Sequence, residues 1–247
     1  SPGQATTHII KPEPERFPRL AANEAFCLTL ARSIGLSAAE AEWRSARGRA
    51  FLLVSRYDRI TESGTTRRLH QEDFAQTLGV LPSKKYASDG GPVFRDCVDL
   101  VRRTATDPEA EILKLIDAAL FNLVIGNADA HAKNFSLLRK ANGEVVLAPL
   151  YDLVSTVVWP ELSNRFAMKY GGSRTLEAMS TGSFERFAAD AGVDFKLVRE
   201  RGPLLCERIM SGVEAGWETP GLTDRSAVTA LAALIHDRAG RVSLKLA

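Results

Sequence analysis

The sequence is short of cysteine, of surplus charge and of long apolar runs, and each shortage removes a class of protein. The three cysteines in 247 residues, Cys27, Cys97 and Cys206, are odd in number and far apart. That speaks against a disulfide framework or a zinc knuckle and fits a reducing compartment. Lys and Arg number 32 against 30 Asp and Glu, a formal net charge of +2, so no overall field draws the chain to nucleic acid or to a membrane surface. The longest apolar candidate, residues 118–125, is cut by Asn122 and stops at Gly126, well below the ~18 to 20 apolar residues of a membrane span. The N-terminal Ser-Pro-Gly-Gln-Ala-Thr-Thr-His has neither the basic start nor the apolar core of a signal peptide. A cytoplasmic protein without membrane contact is the expectation. What is present is an ordinary globular composition, 45% hydrophobic and 25% charged, enough for one large domain or two small ones. The chain opens without Met and close to its first expected strand, as a fragment would.

Hydrophobic patterning predicts mixed α and β structure followed by helices. A β-branched run at residues 7–11 is ended by Pro12, and Pro14 and Pro18 delay the next element to Leu20. Residues 20–34 suit a helix stopped by Gly35, and 51–54 read as a buried strand. Residues 71–78 suggest a short helix, 82–92 a loop and 93–102 another helix. From 109 to 124 the apolar residues recur at helical spacing, with Thr106, Asp107 and Pro108 as its start signal. Runs at 135–138 and 145–148, separated by Asn142-Gly143, form a hairpin signature. Three further helices are expected near 175–190, 195–214 and 225–238, with linkers at Gly192, 216–221 and Gly240. No basic face for DNA stands out on the late helices.

The informative segment is Gly126-Asn127-Ala128-Asp129-Ala130-His131-Ala132-Lys133-Asn134, in which five of nine residues are polar or charged between apolar flanks. After the hairpin comes Tyr151-Asp152-Leu153, so a second acid stands where the returning strand ends. A hairpin brings its ends together, which places Asp129, Asn134 and Asp152 at one mouth. Phosphoryl transfer needs such a set: a carboxylate for the acceptor hydroxyl, and an Asn and a second Asp as oxygen ligands of magnesium. The interval from Asp129 to Asn134 equals the Asp-to-Asn interval of a protein-kinase catalytic loop. Asp152-Leu153-Val154 departs from the usual Asp-Phe-Gly. A plain polar loop, with Asp129 as a cap and Asp152 in a turn, is the competing reading of the same residues.

Several segments, in order, resemble the HipA family of serine/threonine-kinase toxins. They are His8-Ile9-Ile10-Lys11-Pro12, Asn23-Glu24-Ala25-Phe26-Cys27, Arg56-Tyr57-Asp58-Arg59, Gln71-Glu72-Asp73, Lys85-Tyr86, Ser88-Asp89-Gly90-Gly91-Pro92, Asp129 to Asn134, and Tyr151-Asp152. The resemblance covers most of residues 7–155. It implies that Lys11 holds the ATP phosphates with Glu24 as its ion-pair partner, and that Val54, Ser55 and Tyr57 belong to the hinge beside adenine. It implies Asp129 as catalytic base, Asn134 and Asp152 as Mg2+ ligands, and His131 and Tyr151 as walls of the nucleotide site. Lys133 would neutralise the transferring phosphate, against the alternative of a salt-bridged lysine. Gln76, Lys84 and Lys85 are weaker candidates, read chiefly as surface residues.

The resemblance further implies an α+β, two-lobed protein-kinase-like fold. Residues 1–60 would be the remnant of the nucleotide-binding N-lobe, and residues 61–247 the catalytic and mostly helical C-lobe. The implied cofactors are ATP and Mg2+. The implied partners are a DNA-binding, HipB-like antitoxin, DNA only through it, and a protein substrate such as an aminoacyl-tRNA synthetase. The family's upstream β-rich subdomain and glycine-rich loop, with its autophosphorylated serine, have no match here. The N-lobe is therefore expected to be incomplete, as a fragment or with a separate chain supplying the rest. Two other readings stay open: a catalytically inactive kinase-like module that binds an antitoxin or operator complex, and a metal-dependent phosphoesterase built on Asp129, His131 and Asp152.

Overall fold

The computed structural model describes residues 5–81, 84, 86–87, 90–214 and 219–247. Strands β1 (His8–Pro12), β2 (Ala41–Ala46) and β3 (Arg49–Ser55) form an antiparallel sheet in the order β1-β3-β2. Pro12 closes an edge strand, where the amide it lacks is not needed for pairing. The central strand buries Leu52 and Val54. Helix α1 (Leu20–Ser33) buries nearly every residue from Ala21 to Ala31, because it packs against this sheet on one side and the C-terminal helices on the other.

Two hairpins have turns that the sequence signals poorly. Arg47-Gly48 joins β2 to β3, and Ser63-Gly64 joins β4 (Arg59–Glu62) to β5 (Thr65–Arg68). All four turn residues have positive φ, between 50° and 79°, the type I′ conformation that matches strand twist. The helix expected over 71–78 begins later. β6 (His70–Asp73) pairs with β7 (Ser136–Arg139), and only then does the short α2 (Phe74–Thr77) start. Asp73 and Gln76 close a reciprocal capping box at that junction. Lys85, Ser88 and Asp89, and residues 216–218 of the expected linker, lie outside the described residues.

Helices α3 (Phe94–Thr104) and α4 (Pro108–Ile125) follow. Asp107 accepts from the Ala110 amide and Pro108 occupies the first turn, as the start signal predicts. The apolar stripe of α4 is core, with Leu115, Ile116, Leu120 and Leu123 each 1% exposed. The helix ends at Gly126, φ 75°, where a Cβ would stand 2.4 Å from Val157. Glycine is required there by conformation and by space. β7 and β8 (Val145–Leu147) form the expected hairpin, which joins β6 in a second sheet.

Helices α5 (Thr181–Ala191), α6 (Phe195–Glu214) and α7 (Ser226–Leu246) complete the chain. The linker expected at Gly240 is absent, since α7 runs straight through it. Gly212 of α6 lets that helix approach α1: a Cβ there would meet Leu30 at 3.0 Å and Ile34 at 3.1 Å. The buried Arg238 of α7 donates to the carbonyls of Val124 at 3.0 Å and Leu123 at 2.8 Å. It thus satisfies the last turn of α4 with a cation at the negative end of the helix. Arg238→Met is expected to destabilise the protein by about 2 kcal/mol, the cost of orphaned buried carbonyls, read as a lower urea midpoint at unchanged slope.

Candidate active site

The chain leaves α4 in a loop pinned on both sides. Asn127 donates from its side chain to Asn122 Oδ1 at 2.8 Å and to the Asp152 carbonyl at 3.1 Å. Thr156 Oγ1 accepts from the Ala128 amide at 2.9 Å and donates to the Gly126 carbonyl at 3.2 Å. A single 3-10 turn, Ala132–Asn134, then folds Asn134 back so that its Oδ1 accepts from the His131 amide at 3.0 Å. These bonds leave Asp129, His131 and Asn134 facing one cavity.

Asp152 meets them from the end of the hairpin. Its φ of 53° is left-handed, which costs a non-glycine residue about 1 to 2 kcal/mol and is held by the Asn127 bond to its carbonyl. Asn134 Nδ2 lies 3.4 Å from Asp152 Oδ2. Lys11 Nζ bridges Asp152 Oδ1 and Glu24 Oε1, the latter at 2.6 Å. Burial opposes the Lys11 charge, but the Glu24 and Asp152 carboxylates outweigh it and hold the ammonium above its ordinary pKa. Burial pushes the Glu24 carboxyl up, against the pull of Lys11.

The backbone that carries this cluster is clamped by a residue adjacent to Glu24. Asn23 Oδ1 accepts from the Ser155 amide at 2.9 Å, and its Nδ2 donates to the Ser155 carbonyl at 3.1 Å. Helix α1 is thereby fixed to the segment that follows Asp152. The cavity, about 910 Å³, is lined by Glu24, Asp129, His131, Asn134 and Asp152 among others. Tyr86 lines the same cavity: its hydroxyl donates to Asp129 Oδ1 at 2.9 Å, and its ring meets that of His131 edge-on at 5.6 Å.

The other candidates stand further out. Tyr151 donates to the Lys133 carbonyl at 2.8 Å and shares a 2.5 Å bond with Ser136 Oγ. Its ring is 6.4 Å from that of Tyr57, and burial pushes both phenols above their ordinary pKa. Val54 and Ser55 lie within β3 and do not line the large cavity. The Ser55 amide donates to Glu40 at 2.8 Å and the Arg56 amide to Thr7 at 2.9 Å, so two amides of the expected hinge serve the sheet. Lys133 also stands outside the cavity, its ammonium 2.9 Å from Asp73 Oδ2, which ties the loop to the start of α2. Gln76 serves the capping box, and Lys84 is exposed.

Residues with no role assigned from the sequence do much of the positioning. Asn127 and Asn23 hold Asp152 and Ser155 in place, Asp73 takes Lys133, and Tyr86 takes Asp129. Asn127 stands in the polar loop and the other three in stretches that carry the family resemblance, but nothing local names their distant partners.

Among the described residues, no three His, Cys, Asp or Glu side chains group to hold a metal. Asp152 and Asn134 instead offer a small pair of hard oxygen donors, Asn134 Oδ1 keeping a second lone pair beyond its bond to His131. That set is too small for a resident metal. It suits magnesium arriving with nucleotide phosphates, because this ion keeps waters and takes only one or two protein carboxylates.

An antiparallel sheet whose lysine pairs with a helix glutamate, a polar loop after a core helix, a hairpin, a terminal Asp and then helices define a kinase-like protein. The family follows from comparison with known proteins. The model of the HipA-like C-terminal domain matches residues 1–217, and the chain belongs to that family. It is 55% identical over 200 residues to Y4mE of Sinorhizobium fredii, which bears the name of a kinase, across 81% of this chain and 47% of that one. It is 33% identical over 177 residues to the serine/threonine-protein kinase toxin HipA of Shewanella oneidensis, across 66% of this chain and 40% of that one. The chain spans about half the length of the curated relatives it matches. A solved complex of HipA, HipB and operator DNA from Shewanella oneidensis MR-1 superposes with a TM-score of 0.90 at 25% identity, over 98% of this chain and 60% of that one. The Helicobacter pylori proinflammatory kinase CtkA shares the fold, with a TM-score of 0.58 at 14% identity, over 96% of this chain and 86% of that one. The expected α+β kinase-like fold and the expected family are both found.

Proposed function

We propose that this chain carries the catalytic machinery of a serine/threonine kinase toxin that transfers the γ-phosphoryl of Mg-ATP to a protein hydroxyl. What supports it most is the joining of Lys11, Glu24 and Asp152 in one ion cluster beside Asn134 and Asp129. Lys11, held charged by its two carboxylates, exchanges Asp152 for nucleotide phosphates, with Glu24 keeping its ammonium in place. Asp152 and Asn134 hold magnesium, which when bound neutralises and aligns the phosphate oxygens. Asp129 orients the acceptor hydroxyl and takes its proton. Tyr57 and Tyr151 offer an aromatic wall to the base, and residues 1–60 and 61–247 act as the two lobes of the site.

The partners come by analogy. The Shewanella oneidensis complex holds HipB and operator DNA, and a DNA-binding antitoxin of that kind is the partner proposed here, with DNA engaged through it. A translation component such as an aminoacyl-tRNA synthetase is the proposed class of target. No helix among the described residues is long and apolar enough to cross a membrane, and a cytoplasmic site of action is proposed.

The test is calorimetric titration of ATP into the chain with and without magnesium, beside Asp152→Ala. Magnesium-dependent binding is expected, weakened at least about tenfold in the variant by loss of the carboxylate ligand. Binding that ignores magnesium, or that survives unchanged in Asp152→Ala, would overturn the proposal. So would binding by neither protein when the chain is extended by its upstream segment.

A further inference from the structure

We infer that a second cavity, at the base of the β4–β5 hairpin, is a phosphate site in which Arg56, Arg59 and Arg68 receive a phosphate dianion. The inference goes beyond the kinase reading and does not depend on it. This cavity measures about 550 Å³ and, among the described residues, shares no lining residue with the active-site cavity.

The chain brings its cations here from two stretches. Arg56-Tyr57-Asp58-Arg59 turns it from β3 into β4, and Arg68-Leu69-His70 carries it from β5 into β6. The two stretches are tied at the neck of the hairpin, where the Leu69 amide donates to the Asp58 carbonyl at 2.9 Å. Arg59 and Arg68 stand directly opposite each other in the β4–β5 register, and both line the cavity. Like charges so placed repel, and an anion between them removes the repulsion.

One carboxylate serves this group. Arg56 grips Asp58 through both oxygens, Nε to Oδ1 at 3.0 Å and Nη2 to Oδ2 at 2.8 Å, and Arg59 Nη1 donates to Oδ2 at 2.6 Å. Burial pushes the Asp58 carboxyl up, but the two guanidiniums outweigh it and hold it below its ordinary pKa. Arg59 is locked further by its Nε, which donates to the Thr6 carbonyl at 2.8 Å, and only 5% of its side chain meets water. Arg68 has no ion pair or side-chain hydrogen bond among the described residues. His70, which also lines the cavity, has its ring 3.4 Å from Glu72.

Three arginines against one aspartate leave the cavity with two surplus positive charges. A phosphate group carries about −1.5 to −2 at pH 7 and offsets that surplus, whereas a single carboxylate offsets half of it. Its oxygens also match the forked donors of guanidinium. Asp58 and Thr6 fix Arg56 and Arg59 before any ligand arrives, so little side-chain ordering remains to weaken binding. Free phosphate and a phosphorylated side chain present the same group to this cavity.

The experiment is calorimetric titration of inorganic phosphate and, separately, of a short phosphoserine peptide into the chain at constant ionic strength. Arg68→Gln and Lys169→Gln are run beside it, and circular dichroism confirms that each is folded. Saturable binding is expected, weakened about tenfold in Arg68→Gln by loss of a charge-assisted bond. Lys169→Gln, which removes an equally unpaired cation from the active-site cavity, should leave it intact. Tighter binding of the peptide than of phosphate identifies a phosphorylated protein as the source, and equal or weaker binding identifies free phosphate; both uphold the site. Binding of neither probe, affinity unchanged in Arg68→Gln, or an equal loss in Lys169→Gln would overturn the inference.

Discussion

Asp129→Asn is expected to cut phosphoryl transfer by roughly 10³-fold, the size of a lost general base, with affinity for Mg-ATP held within about twofold. The division follows from the contacts. Lys11 engages Glu24 and Asp152, and Asn134 approaches Asp152, whereas Asp129 accepts from the Tyr86 hydroxyl. The nucleotide-facing cluster therefore stands without Asp129, and the acceptor-facing contact does not. Asparagine keeps the size of the side chain and an oxygen for Tyr86 but cannot take a proton at neutral pH. Steady-state transfer to a Ser peptide gives the answer directly: kcat should fall with KM for ATP unchanged. A raised KM for ATP at constant kcat would assign Asp129 to nucleotide binding instead.

The parts of this site legible in the sequence are those set by local spacing. The core stripe of α4, its capping by Asp107, the terminal Gly126 and the hairpin around Gly143 each follow from neighbours in the chain, and together they bring Asn134 to within 3.4 Å of Asp152. What was not legible depends on distant partners. His70-Gln71-Glu72-Asp73 has no alternating apolar pattern, so nothing local marks it as a strand; it is one because β7 offers Ser136 opposite Asp73. Arg47-Gly48 and Ser63-Gly64 turn tightly, yet their flanks are polar or mixed and give little period-two signal. Gly240 punctuates the sequence but not α7, since nothing in that helix needs it to end there. Lys133 carries no local sign of its partner, and only the fold places it against Asp73, 60 positions away. Asn23, Asn127 and Tyr86 are ordinary polar residues until the residues they hold, 132, 25 and 43 positions away, are brought to them.

Lys11→Met is expected to destabilise the protein by about 3 kcal/mol at pH 7, the low end for one half of a buried ion pair. The low end applies because Lys11 keeps 34% of its side-chain surface in water. The cost falls on Glu24 more than on Asp152, since their side chains are 7% and 44% exposed and only the exposed one recovers hydration. Burial already holds the Glu24 carboxyl above its ordinary value with Lys11 present; without Lys11 the elevation grows. A carboxyl whose folded pKa exceeds its unfolded one binds its proton more tightly in the folded state. The stability it contributes is full below the ordinary carboxylate pKa of about 4.3 and is lost as pH rises through the raised value. Urea denaturation of Lys11→Met should therefore show recovery between pH 7 and pH 5, and Lys11→Met with Glu24→Gln should regain most of the loss at pH 7. A pH-independent deficit, or a double variant no better than the single one, would mean that Lys11 stabilises the fold by packing. Recovery of stability without recovery of Mg-ATP binding would separate the two duties of this lysine, keeping Glu24 paired and meeting the phosphates.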